Sequence, residues 1–332
     1  MLRRKFLVAS FGTLATALGG CAPGAIERRG PLFTGATLAF GTTITVSVVH
    51  ADARVAEAAI TDALGQATLV DRLMSIHNPA SEVFQLNRDG ELAKPHAHLL
   101  AVLREAQALS ELTRGAFDIT VQPLWTAFRA AVDEGSLPSP EQRQRAFAQV
   151  GWRRVEADPV RVRLARAGVA ITLNGLAQGY AADLAMAAVR ARGIDNALLD
   201  TGEFSAQGAN DGEQPWTLGV LDPRDADVMA AVLRVDGRCV ATSGDYASAF
   251  TPDFVHHHIF DPATGRSPPE LASVTVLAPS ALLADGLSTA FMVMGARKAH
   301  ALAARLDGVD VMTINKRGVV WKSPAFPAIP AA

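Results

Sequence analysis

The chain has 332 residues, 49% hydrophobic and 19% charged, which is ordinary globular composition with ample length for a real core, in one large domain or two. A formal net charge of −2 provides no basic field of the kind that attracts nucleic acid. No internal repeat or low-complexity tract is present. At the N-terminus, Arg3, Arg4 and Lys5 precede an apolar stretch, residues 6–17, too short to span a bilayer as a mature helix. Leu18-Gly19-Gly20-Cys21 then matches a lipobox with Cys21 as the acylated residue, and the Arg3-Arg4-Lys5-Phe6-Leu7 run matches a twin-arginine export motif. The alternative is an ordinary cleaved leader with an incidental cysteine. Residues 1–20 are therefore expected to be a signal peptide and 21–35 a lipidated tether, leaving 36–325 as the folded domain. Only Cys21 and Cys239 could pair, so there is no disulfide framework. Cys239, in an apolar run, reads as a small buried hydrophobe rather than a nucleophile.

Along the domain, residues 43–49 alternate as a half-buried strand, and a 3.6-residue period over 55–73 predicts a long helix that His77-Asn78-Pro79 breaks. A short helix is expected from Ser81 to Asn87 and a longer one over 96–113, stopped at Gly115. Ser139 is placed to cap a helix over 141–150. Residues 160–164 and 169–173 read as a hairpin, and the glycines of 174–179 lead into a helix over 180–192. Strands are expected at 197–199, 216–221, 231–235, 240–242, 255–260 and 274–277, helices at 281–295 and 297–306, and strands at 311–314 and 319–321. This mixture without βαβ alternation indicates an α+β (mixed α/β) architecture, one main sheet packed with helices.

Four blocks carry candidate chemistry. Asp285, Ser288 and Thr289 sit at i, i+3 and i+4 of a helix and so share a face; a carboxylate beside hydroxyls is the hard oxygen set that magnesium favours, although the same pattern suits a solvated helix surface. Asn174-Gly175-Leu176-Ala177-Gln178-Gly179 places two glycines at a helix start, where backbone N–H groups favour phosphate or simply form a tight turn. His256, His257 and His258 cannot all reach one ion from a strand, but a histidine beside the Asp261-Pro262 turn is suited to act as acid or base. Gly115-Ala116-Phe117-Asp118 puts an aromatic–acid pair on a loop after a helix.

The order and wording of these blocks resemble the FAD:protein FMN transferase family, the ApbE-like flavin transferases. The resemblance runs from Phe40-Gly41-Thr42 through Ser81-Glu82 and Asn87, residues 175–183 and Ala241-Thr242-Ser243-Gly244-Asp245-Tyr246, to His258-Ile259-Phe260-Asp261-Pro262-Ala263-Thr264-Gly265 and Ala284-Asp285. It implies an ApbE-like fold and magnesium-dependent transfer of FMN from FAD, the substrate, to a Thr or Ser hydroxyl of a partner redox flavoprotein, with AMP released. By the same resemblance Asp285 and Thr289 would hold magnesium with Ser288 near and a Gly175 carbonyl contributing. Phe40, His77, Ala116, Phe117, Asp118, Thr172, Gln178 and Ile259 would contact FAD, and His258 would assist deprotonation of the acceptor. An FAD pyrophosphatase and a non-catalytic FAD-binding lipoprotein are the rival readings. The chain departs from the commonest family pattern at Thr172, Asn174, Gln178 and Ser288; an acid more often stands at the first and last of these, so the metal corner here is less anionic.

Overall fold

The computed structural model describes residues 7–9, 23–211 and 213–329. Cys21 and the leader other than residues 7–9 lie outside them. The strands are β1 (Leu7–Ala9), β2 (Ile26–Arg29), β3 (Leu32–Ala39), β4 (Thr42–Val49), β5 (Glu91–Ala93), β6 (Val155–Ala157), β7 (Arg161–Leu164), β8 (Ala197–Asp200), β9 (Phe204–Gln207), β10 (Thr217–Leu221), β11 (Met229–Arg234), β12 (Cys239–Gly244), β13 (Leu271–Ala278), β14 (Asp310–Asn315), β15 (Val320–Lys322) and β16 (Ala328–Ile329). The helices are α1 (Ala53–Met74), α2 (Glu82–Asp89), α3 (Ala97–Leu112), α4 (Gln122–Asp133), α5 (Pro140–Phe147), α6 (Ala177–Ala191), α7 (Ala281–Met294) and α8 (Ala296–Ala303).

Nine strands form the main sheet in the order β2-β3-β4-β8-β9-β12-β13-β14-β15, so spatial order follows chain order, and every pairing is antiparallel. This is why strands and helices mix without βαβ crossovers. One face carries helices: α1 and α6 bury their apolar stripes, Ala56, Ala59, Ile60 and Ala63 against Ala185, Met186 and Val189, over Phe33, Val46, Val48 and Leu199. The other face carries a four-stranded sheet, β1-β10-β11-β16, whose Leu218, Val220 and Leu233 pack on Leu198, Phe204, Val240, Leu277 and Ile314. A strand covered on both faces needs no alternation, and all eight residues of β13 are buried.

Three expectations are corrected. Residues 22–35 are not a bare tether, because β2 and the start of β3 lie within them and belong to the main sheet. The β3–β4 register closes at Ala39↔Thr42 around Phe40 and Gly41, both with positive φ (54° and 73°), as the tightest hairpin turns require. The expected hairpin partner of β7 is also displaced: β7 pairs with β6 and β5, whereas 169–173 is irregular. Its backbone is satisfied by a side chain instead. Asn87 donates to the Ile171 carbonyl (2.8 Å) and accepts the Ile171 N–H (2.7 Å), an amide standing in for a strand. Residues 255–260 likewise form no strand, only an isolated bridge of His257 with Ala249. Some helices begin where a side chain satisfies their first N–H groups: Ser81 accepts from Phe84 (3.0 Å), and Ser139 with Gln142 completes a reciprocal capping pair.

Candidate active site

A cavity of about 510 Å³ opens where the main sheet forks. β9 and β12 share a single register position, Phe204↔Val240, and beyond it the strand ends diverge. Asp200, Gly202 and Glu203 line one side of the gap, Thr242, Ser243 and Gly244 the other. The Glu203 carboxylate bridges the fork by accepting the Thr242 N–H at 3.2 Å. The end of α1, the start of α4 and the facing ends of α6 and α7 complete the walls.

The sequence-derived site residues converge here. Phe40, His77, Ala116, Phe117, Asp118, Thr172, Gly175, Gln178, His258, Ile259, Asp285 and Thr289 all line the cavity, although they are scattered along most of the chain. Ser288 does not. Its hydroxyl donates to the Asp285 carbonyl one turn back (2.8 Å) and pairs with Ser243 (2.7 Å), which turns it behind the wall. Ser243, which the residue patterns did not single out, takes its place at the surface and also reaches the Thr289 hydroxyl at 3.2 Å. Its signal was the Ala241-Thr242-Ser243-Gly244-Asp245-Tyr246 block itself.

Two glycines set this corner. A Cβ on Gly175 would lie 2.9 Å from Thr289 Oγ1, so only glycine leaves room for that hydroxyl. A Cβ on Gly179 would lie 2.3 Å from the Ala281 carbonyl oxygen, so α6 and α7 meet backbone to backbone. That contact lets the Gly179 N–H donate to Asp285 (3.1 Å), while Asp183 on α6 accepts the Ala281 and Leu282 N–H groups that open α7 (2.8 and 3.0 Å).

The charge of the cavity is one-sided. Asp71, Asp118, Asp200, Glu203 and Asp285 line it, and among the described residues no Lys or Arg does. Burial pushes Asp200 up from 3.8 to about 6, offset only in part by the Gly202 N–H it accepts at 2.9 Å. Burial also raises Asp118 and Asp71. Asp118 is engaged by its own loop: it accepts from the Thr120 N–H (2.7 Å) and hydroxyl (2.6 Å) and from the Trp152 N–H (2.8 Å), which shapes the Ala116–Phe117 wall. Gln178 donates to the Thr201 carbonyl at 2.7 Å, fixing the turn that carries Gly202 and Glu203.

The three histidines diverge in role. His257 is fully buried, its ring facing the Pro268 carbonyl at 3.3 Å, and burial lowers its pKa to about 4. His256 stacks near Phe128, ring centroids 5.6 Å apart. His258 alone of the three reaches the cavity, its backbone N–H held by the Ser248 carbonyl at 3.0 Å. Among the described residues no three His, Cys, Asp or Glu side chains group as a metal cage. Cys239 is buried, its thiol pushed up to about 11, a packing residue.

The ApbE family model matches residues 40–313, which is most of the chain and every cavity residue named above. The chain belongs to the ApbE family. It is 33% identical over 308 residues to the FAD:protein FMN transferase of Salmonella typhimurium, covering 86% of each chain. Among solved structures it is similar to the ApbE protein of Thermotoga maritima (TM-score 0.79, 28% identity, 88% of this chain and 97% of that one) and to the flavin transferase ApbE of Vibrio cholerae (TM-score 0.77, 25% identity, 92% and 100%). As an ApbE-family chain it is a transferase.

Proposed function

We propose that this chain transfers FMN from FAD to a Thr or Ser hydroxyl of a partner redox protein, releases AMP, and requires magnesium. The observation that carries the reading is the cavity's electrostatics: five carboxylates and, among the described residues, no Lys or Arg surround a space suited to a small-molecule ligand. An anionic dinucleotide enters such a site only with a cation, and the donors present are hard oxygens that suit magnesium. Asp285 and Thr289 would hold the ion, with the Gly175 backbone beside them; when bound, it supplies positive charge to the phosphate oxygens. One or two carboxylates with substrate oxygens suffice for this ion, so no protein-only cage is needed.

The chain's own residues do the rest. Phe117 and Ile259 provide apolar walls, while Gln178 and Glu203 hold the strand fork open at a fixed width. The acceptor hydroxyl oxygen forms a bond to the FMN-side phosphorus as the bond from that phosphorus to the AMP oxygen breaks. The hydroxyl proton must leave, and the imidazole of His258, which lines the wall as His77 also does, can take it. We further propose a location on the periplasmic side of a bacterial membrane, anchored through lipid on Cys21, with the acceptor a flavoprotein subunit of a membrane or periplasmic redox system. The leader and lipobox motifs support this location.

The test combines the protein, FAD, magnesium and an acceptor carrying an Asp-Gly-x-Thr-Gly-Ala-Thr stretch. The expected result is a covalent mass gain of FMN minus water on the acceptor that a chelator abolishes. Free FMN and AMP without the adduct would make the chain a pyrophosphatase; bound, unchanged FAD would make it a carrier. His258→Ala should slow transfer by about 10²-fold or more while FAD still binds.

A further inference from the structure

Among the described residues the main sheet leaves one inner strand half-paired, and its open edge lies inside the cavity. β12 pairs with β13 at every position from Cys239↔Ala278 to Gly244↔Ser273, but on its other side it meets β9 only at Val240↔Phe204. The Asp245 N–H donates to the Ala272 carbonyl (3.0 Å), which sets the phase of the ladder. Antiparallel bonding alternates, so Ala241 and Ser243 bond towards β13, whereas Thr242 and Gly244 turn their N–H and C=O groups towards the fork. The Glu203 carboxylate takes the Thr242 N–H at 3.2 Å, as a strand carbonyl would. Thr242, Ser243 and Gly244 all line the cavity, as do His258, Asp285 and Thr289. The Ser243 side chain points to α7, where its hydroxyl meets those of Ser288 (2.7 Å) and Thr289 (3.2 Å).

We infer that this edge receives the acceptor: an extended segment of the partner protein adds to residues 242–244 as a strand, with its hydroxyl residue opposite Ser243. The inference rests on the transferase reading of the cavity. An open strand edge presents donors and acceptors in the order that another peptide backbone matches, and strand addition is a general mode of peptide recognition. Residues opposite one another in a ladder project to the same face of the sheet. The residue opposite Ser243 therefore points its hydroxyl towards α7, the helix of Asp285 and Thr289, and its neighbours on either side point away. One pairing supplies both binding and aim.

The test uses the full chain with FAD, magnesium and a synthetic peptide of the acceptor stretch, unmodified and with single backbone N-methyl groups placed along it. Methyl groups on every second N–H should weaken the peptide by about tenfold or more, as acceptor or as competitor of the acceptor protein, and those in between should change it by less than about twofold. The phase gives the direction of the added strand: sensitivity on either side of the hydroxyl residue means antiparallel, and sensitivity at that residue means parallel. Weakening without the two-residue alternation overturns the inference, and so does an unmodified peptide that neither accepts flavin nor competes. A second readout is hydrogen exchange at residues 242–244, with FAD and magnesium added first and then an acceptor protein carrying Thr→Ala at the reactive position. Further protection on adding the acceptor supports the strand. Full protection by FAD and magnesium alone gives the edge to the nucleotide and overturns the inference. If the parent reaction leaves no adduct on the intact acceptor protein, the transferase reading itself fails, which is distinct from any of these outcomes.

Discussion

Two carboxylates, Asp245 and Asp285, lie in separate motifs and are treated in opposite ways. Asp245, fully buried, is clamped by Arg224 through two bonds (2.7 and 2.8 Å), with Lys316 at 3.5 Å and Phe254 stacked on the guanidinium at 4.2 Å. That cluster pins the loop from which His258 enters the cavity. Asp285, also buried, faces a cavity whose described walls hold four more carboxylates and neither Lys nor Arg. The chain neutralises the acid that fixes a loop and leaves the cavity's charge for a ligand to balance. One region is built for stability and the other for binding.

The largest test of that contrast is Asp285→Ala, expected to cut flavin transfer by about 10²-fold or more with a shifted magnesium requirement, followed by mass spectrometry of the acceptor. Thermal stability should change little or rise, because a buried charge is removed. Next, Arg224→Met should cost about 2–3 kcal/mol in a urea titration, less than for a fully isolated buried pair because Lys316 remains and Arg224 is itself part-exposed. Magnesium affinity should hold; a large loss of it with stability intact would dissolve the contrast.

Asp200 gives a pH signature. Its carboxyl is raised in the folded state from 3.8 to about 6, so the folded chain holds this proton more tightly. The associated stability is fully present below about pH 4 and is lost as pH rises through about 6. Asp200→Asn should therefore match the parent below about pH 4 and be more stable by about 2 kcal/mol at about pH 7, read from urea midpoints. Equal stability at both pH values would mean that the cavity already carries compensation. The smallest effect belongs to Cys239→Ala, expected within about 1 kcal/mol and without change in transfer, the thiol being blocked from alkylation until the chain unfolds.

Much of this organisation was legible in the residues. The period of α1, the glycines before α6, the i, i+3, i+4 spacing on α7, the helix start at Ser81 and the cap at Ser139 are local signals, and local signals survive folding. What escaped was non-local. Gly30, Pro31 and three charges give β2 and the first half of β3 the look of a tether, because a strand's worth depends on the partner it finds. Residues 169–173 have strand composition, yet their backbone is paired by the Asn87 side chain, a contact no period announces. At the site, helix spacing grouped Asp285, Ser288 and Thr289, and only the packing of β12 against α7 shows that Ser243 and Ser288 have exchanged places at the wall.

The contact between Gly179 and Ala281 has a practical use in interpreting natural variation. A side chain at position 179 would meet the Ala281 backbone and force α6 from α7, and Gly175 leads into α6, so a single codon reports whether the Gly175–Thr289 corner can close. When genomes yield chains of this kind with decayed or repurposed cavities, that codon is a diagnostic letter that can be scored before any protein is made.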